Sequence, residues 1–169
     1  MSKFTEVKPK EINENTFSLI SKDWFLLTAG NRDSFNTMTA AWGGLGVLWH
    51  RNVCTVYVRP QRYTFEFMEK EDVFTVSFFN TAFRDVLKYC GSHSGRDIDK
   101  VAETGITPVF SEQGGIYFNE AKLVIECKKI YCQDMDPGAF LDSSIMDNYP
   151  AKDYHRIYIG EIIGCYRAE

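Results

Sequence analysis

Apolar residues in this chain recur mostly at every second position or in short unbroken runs, the spacing of strands rather than of long helices. Trp24 to Ala29 is one such run, stopped by the turn residues Gly30-Asn31-Arg32-Asp33. Asn36 to Trp42 follows and leads into Gly43-Gly44-Leu45-Gly46, which reads as strand, turn and strand. Val53 to Arg59 predicts a further strand closed by Pro60, and Val73 to Phe79 a buried one. Two long strands end the chain, Ala121 to Cys132 and His155 to Tyr166. In the second, Ile157, Ile159, Ile163 and Cys165 alternate with Tyr158, Ile162 and Tyr166. Both faces are therefore expected to be covered, one by the core and the other by a helix or a second subunit.

Helical spacing is confined to short stretches. From Gln61 onward Tyr63, Phe67 and Met68 fall on one side, with Pro60 as a first-turn residue. Phe83 to Cys90 and Asp97 to Glu103 predict two more helices, the second with Asp97 as a candidate cap and Gly105 as its stop. Pro137 to Tyr149 places Phe140, Leu141, Ile145 and Met146 at helical spacing and ends before Pro150. The expectation is a mainly β, antiparallel protein with short peripheral helices. No repeat or linker divides it, so one domain spanning residues 1–169 is expected.

Composition adds two things. Aromatic residues make up 15% of the chain, with 13 Phe and 9 Tyr, which suits strands and pockets for flat ligands. The net charge of -4 argues against a general affinity for nucleic acid. Yet Ser34 to Phe65 holds no Asp or Glu while containing Arg51, Arg59 and Arg62. A locally basic stretch suits a small anion such as a phosphate monoester, and a chance gap across buried strands explains it equally well. The five cysteines are odd in number, form no CxxC and follow no secretory signal, so reduced thiols in a cytoplasmic protein are expected. The apolar runs fall far short of the roughly 20 residues of a membrane-spanning helix.

Several chemistries lack their residues. There is no GxGxxG, no GxxxxGK[ST] and no GxSxG, and three scattered histidines do not make a zinc site. Hydroxyls, glycines, arginines and aromatics remain, an inventory for a flat ring with an anionic tail, such as flavin mononucleotide (FMN).

The runs Asn-Thr-Met-Thr-Ala-Ala-Trp-Gly-Gly-Leu-Gly from Asn36, Tyr-Val-Arg-Pro-Gln-Arg-Tyr-Thr from Tyr57, Ser-Gly-Arg-Asp-Ile-Asp-Lys from Ser94 and His-Arg-Ile-Tyr-Ile-Gly-Glu-Ile from His155 carry a resemblance. Together they resemble the flavin reductase-like, flavoredoxin-containing family of FMN-binding split β-barrels, over nearly the whole chain. The resemblance implies a Greek-key antiparallel barrel with short peripheral helices. By position, Asn36, Thr37, Met38, Thr39, Ala40 and Trp42 would line the flavin, with the backbone of Met38 and Ala40 on the ring's polar edge and hydroxyls from Thr37 and Thr39. Arg59, Arg62, Tyr63 and Thr64 would serve phosphate and ribityl, and Ser94, Gly95 and Lys100 a second contact loop. His155 would stand near the nicotinamide site as a catalytic candidate.

Plainer roles stay open for each. The threonines are also ordinary strand residues, Trp42 a core filler, Arg96 and Lys100 solvent-facing, and one arginine a partner for Asp72 or Glu66. The implied activity is hydride transfer from NADH or NADPH to FMN, with an unidentified redox acceptor downstream. The alternatives are a flavoredoxin-like electron carrier without efficient NAD(P)H oxidation, and a barrel that holds another planar ligand. The family further implies a homodimer with FMN near the subunit interface.

Overall fold

A computed structural model describes residues 3–169. Among the described residues ten strands are present: β1 Phe4–Glu6, β2 Phe25–Gly30, β3 Phe35–Ala40, β4 Gly43–Leu48, β5 Arg51–Val58, β6 Val73–Phe78, β7 Pro108–Phe110, β8 Ile116–Phe118, β9 Leu123–Asp134 and β10 Arg156–Ala168. Eight form one antiparallel sheet in the order β3-β2-β6-β9-β10-β5-β4, with β1 paired to the far half of β10. β7 and β8 make a separate hairpin.

The connection from β3 to β4 is not the hairpin the sequence suggested. Only Ala41 and Trp42 separate the two strands, yet they lie at opposite ends of the strand order. Three peptide steps reach about 11 Å at most, so the sheet must curl until its two edges stand side by side. The result is a split barrel, closed by chain at Ala41-Trp42 rather than by a ladder of hydrogen bonds.

Every residue of β2 is buried, because two apolar clusters flank it. Phe25 and Leu27 point into the barrel with Val56, Val76, Ile125 and Tyr158. Leu26 points out, against Phe79, Leu87, Cys90 and Val124. The outer cluster lies beneath the helices α3 (Arg84–Ser92) and α4 (Lys100–Thr104), which follow the short α1 (Thr16–Ser18) and α2 (Tyr63–Lys70). β10 is covered in the same way along its second half. Tyr166 stacks on Tyr117 and donates to the fully buried Glu126. Ile157, Ile159 and Ile163 stay only half-buried.

Three boundaries differ from expectation. α2 begins at Tyr63 with Arg62 as its cap, and Pro60 stands in the turn ahead of it. α4 begins at Lys100, and its cap is Asp99 rather than Asp97: the Asp99 side chain accepts from the amides of Val101 and Ala102. Gly105 ends it in a left-handed conformation, φ 69°. The segment expected as one helix from Pro137 to Tyr149 is two short 3-10 turns, Pro137–Ala139 and Ser143–Asn148, with Leu141 exposed between them. Asp136 and Asp142 accept from the amides of Gly138 and Ser144, local bonds that compete with helix propagation. The five cysteines are free thiols, four of them buried.

Candidate functional site

The site grows from the free edge of β3. An edge strand leaves alternate backbone groups unpaired, and α2 and α3 pack against this one. α3 ends against it so closely that a Cβ on Gly91 would lie 3.3 Å from the Thr39 Cβ. The last carbonyls of a helix have no partner within it. Here those carbonyls orient two cations: Lys100 Nζ donates to Cys90 O at 2.8 Å, and Arg62 Nη1 donates to Gly91 O at 3.0 Å. Lys100 Nζ also donates to Thr37 O of β3, at 2.8 Å.

Lys100 is 5% exposed, and the turn capped by Asp99 directs it inward. Burial, with the charge of Arg62 adding to it, lowers its pKa to about 8. Burial also pushes Arg62 below its ordinary value. Among the described residues no ion pair involves either cation. They face a cavity of about 200 Å³ whose other walls include Asn36, Met38, Tyr63, Thr64, Ser94 and Gly95. Asn36 Nδ2 donates to Thr64 Oγ1 at 2.8 Å, fixing the base of α2 to β3. A Cβ on Gly95 would stand 2.0 Å from Asn36 Oδ1, so the 94–100 loop approaches β3 as only glycine allows.

A second cavity of about 300 Å³ shares Met38 and Arg62 with the first. Its walls are Met38 to Trp42, Tyr57, Arg59, Arg62 and His155. Trp42, half-exposed, packs on His155 with ring centroids 5.1 Å apart. His155 is buried and its Nδ1 lies 2.8 Å from the Tyr149 hydroxyl. Burial, assisted by the Arg59 charge, lowers its pKa to about 4, so the imidazole is neutral near pH 7.

Apart from Thr37, the sequence-derived residues divide between two cavities that share Met38 and Arg62. Met38, Thr39, Ala40, Trp42, Arg59, Arg62 and His155 line one, and Asn36, Met38, Arg62, Tyr63, Thr64, Ser94, Gly95 and Lys100 the other. Two of them point differently from the expectation. Thr37 turns its hydroxyl to Leu27 O and accepts from Thr28, and Thr39 donates to Leu87 O. Their hydroxyls already serve the protein. Arg59 carries a carboxylate after all, Asp153, at 2.7 Å, and donates to Asn148 O beneath the Tyr149 ring. Arg51, the third arginine of the acid-free stretch, pairs with Glu161 outside both cavities.

Tyr57, Tyr149 and Asp153 were not anticipated. For Tyr57 a signal existed, because strand alternation puts it on the same side as Arg59. Beyond Trp42 and Tyr57 opens an apolar cleft of about 730 Å³ bounded by Phe17, Ile20, Leu45, Met135, Phe140 and Tyr149, with no charged side chain in its lining. Among the described residues no group of three His, Cys, Asp or Glu is placed to hold a metal ion, and no helix is long and apolar enough to cross a membrane.

Comparison with solved structures gives the same fold. The flavoredoxin of Desulfovibrio vulgaris (Miyazaki F) aligns with 96% of this chain and 77% of its own, at 26% identity and a TM-score of 0.68. An FMN-binding domain of a flavin reductases-like enzyme from Shewanella baltica OS155 aligns with 99% of this chain and 78% of its own, at 19% identity and a TM-score of 0.70. An NADH:FAD oxidoreductase from Streptomyces globisporus C-1027 aligns with 86% and 74%, at 18% identity and a TM-score of 0.64. Comparison with curated proteins gives no match. The model of the flavin reductase like domain matches residues 17–169, and the chain belongs to that family.

Proposed function

We propose that this protein binds FMN and acts as an NAD(P)H-dependent flavin reductase. One observation carries the reading: a buried and a half-buried cation whose hydrogen bonds among the described residues go only to carbonyls, Lys100 and Arg62, line the cavity that adjoins a ring-sized slot. Removing two positive charges of one cavity from water without an anion is costly, and a phosphate monoester offsets that cost. Arg62 offers a planar fork of donors and Lys100 a point charge, while the Gly95 backbone can approach a phosphate oxygen unhindered by a side chain. The FMN phosphate fits this pocket, its ribityl chain the Asn36–Thr64 wall, and its ring the slot between β3 and the Trp42–His155 pair. FMN supplies two-electron chemistry when bound, taking hydride from a nicotinamide and passing it on. The protein's own share is orientation, exclusion of water and a neutral imidazole beside the ring.

Titration of apoprotein with FMN, followed by anaerobic mixing with NADH or NADPH, tests the reading. Loss of the flavin's visible absorbance within seconds supports a reductase. A second reading, an electron-transfer flavoprotein, is favoured by the absence of any charged side chain among the described residues lining the cleft and by the Asp153 carboxylate that pairs with Arg59. Reduction by dithionite but by neither nucleotide selects it.

We further propose a homodimer across the outer face of β5, β10 and β9. Thr55, Tyr57, Ile157 and Ile159 are only half-buried there, and Tyr131 and Trp49 are exposed with their rings edge-on at 6.1 Å. A monomeric mass by light scattering contradicts it.

A further inference from the structure

Tyr149 is buried in the wall of the apolar cleft and touches two residues that line the ring cavity, His155 and Arg59. Its hydroxyl lies 2.8 Å from Nδ1 of His155, its ring carries the Arg59 guanidinium at 5.2 Å, and the adjacent Asn148 carbonyl accepts from Arg59 at 2.8 Å. The hydroxyl has one proton and two acceptors within reach, since the Met135 sulfur stands at 3.4 Å. An imidazole nitrogen is a far stronger acceptor than a thioether, and 2.8 Å is an ideal O–H···N length. Given to Nδ1, that proton leaves a neutral ring to carry its own on Nε2; given to the sulfur, it leaves Nδ1–H to donate to the hydroxyl, and the first arrangement forms the stronger bond.

We propose that Tyr149 is a positioning residue that fixes the tautomer of His155, so that Nε2–H is presented to the ring cavity as a hydrogen-bond donor. With Nδ1 occupied, Nε2 is the nitrogen left for the cavity that His155 lines. Trp42 against the imidazole face and Tyr57 edge-on at 6.5 Å restrict its rotation. The groups that surround it from other elements are Arg59 and Asp153, which pair with each other. A donor at this place favours an oxygen acceptor, a ring carbonyl of a bound flavin or the carbonyl of its reaction partner. The flavin half of the inference rests on the function proposed above, whereas the tautomer does not.

Tyr149→Phe keeps the ring on which Arg59, Phe140 and Tyr154 pack and removes only the hydroxyl. Long-range proton–nitrogen NMR of the apoprotein at neutral pH is expected to show the His155 proton on Nε2 in the wild type and a mixture of tautomers in Tyr149→Phe. A proton on Nδ1 in the wild type, or the same tautomer in both proteins, overturns the proposal whether or not flavin binds. In FMN titrations the variant is expected to bind about three- to tenfold more weakly, the loss of one neutral hydrogen bond. In a His155→Gln background, which keeps the fold testable by a second route, Tyr149→Phe is expected to cost nothing further. An equal loss in both backgrounds means that Tyr149 acts on its own account, and overturns the positioning role. If wild-type protein binds no flavin, the function proposed above falls, and the NMR comparison still decides this inference.

Discussion

Lys100 and Arg62 line one cavity, each tied to a carbonyl of the last turn of α3, and the charge of Arg62 lowers the basicity of Lys100. The pair is electrostatically unfinished. Lys100→Met is expected to weaken FMN binding about 10- to 100-fold, the range of a lost charge-assisted hydrogen bond, and Arg62→Glu to abolish it. Quenching of flavin fluorescence measures both. An unchanged affinity in Arg62→Glu removes Arg62 from the site.

The same pair sets a pH dependence. Lys100 has a folded pKa of about 8, below its ordinary 10.5, so the free protein gives up this proton on passing pH 8. FMN affinity is expected to fall as pH rises above about 8, and the fall to vanish in Lys100→Met. In the unliganded protein the sign for stability is opposite. Between pH 8 and 10.5 the unfolded chain binds more protons at this residue than the folded one, so Lys100 makes folding more favourable as pH rises. Denaturant melts of wild type and Lys100→Met across that window measure the difference.

His155 behaves differently on the acid side. Its folded pKa of about 4 lies below the ordinary 6.5, so its contribution to stability is present above pH 6.5 and is lost as pH falls toward 4. The full loss is roughly 3 kcal/mol. Wild-type stability is expected to drop more steeply between pH 6.5 and 4 than that of His155→Gln. Parallel slopes in the two proteins contradict a buried neutral imidazole.

Much of this site was legible in the sequence, and the division is instructive. The β3 run and the 94–100 loop announce themselves locally, by alternation, glycine and charge. Whether an arginine is free for a phosphate is not local. Arg59 and Arg62 are three residues apart and alike in sequence, yet Asp153 neutralises only Arg59, from 94 residues away. The orientation of the Thr37 and Thr39 hydroxyls is equally non-local, because their hydrogen-bond partners sit on β2 and α3. Tyr149 was hidden inside a stretch whose apolar spacing mimics a helix. Asp136 and Asp142 break that helix by bonding to their own backbone, which turns the stretch into the wall that carries Tyr149.

Glu126 tests how the β7–β8 hairpin is held. Its carboxylate is fully buried and accepts from Ser111 Oγ, the Gly115 amide at 2.9 Å and Tyr166 Oη at 3.0 Å. Glu126→Ala leaves the Ser111 and Tyr166 hydroxyls without this acceptor, while the Gly115 amide keeps Ser111 Oγ, and is expected to cost about 2–4 kcal/mol. Gly115→Ala puts a Cβ 2.2 Å from the same carboxylate and is expected to destabilise as well. Hydrogen exchange is expected to rise first at residues 108–118 in both variants. Uniform loss of protection across the barrel contradicts a local clasp.

The phosphate pocket can be tested with a ligand alone, without mutation. Riboflavin has the ring and ribityl chain of FMN and lacks only the phosphate, so it enters the ring slot and leaves Arg62 and Lys100 uncompensated. Calorimetric titration of apoprotein with each ligand at pH 7 is the most direct measurement. FMN is expected to bind at least about 100-fold more tightly than riboflavin, the equivalent of two charge-assisted contacts at the low end of their range. Equal affinities, or no binding of FMN, contradict the assignment of the paired cations to a phosphorylated flavin.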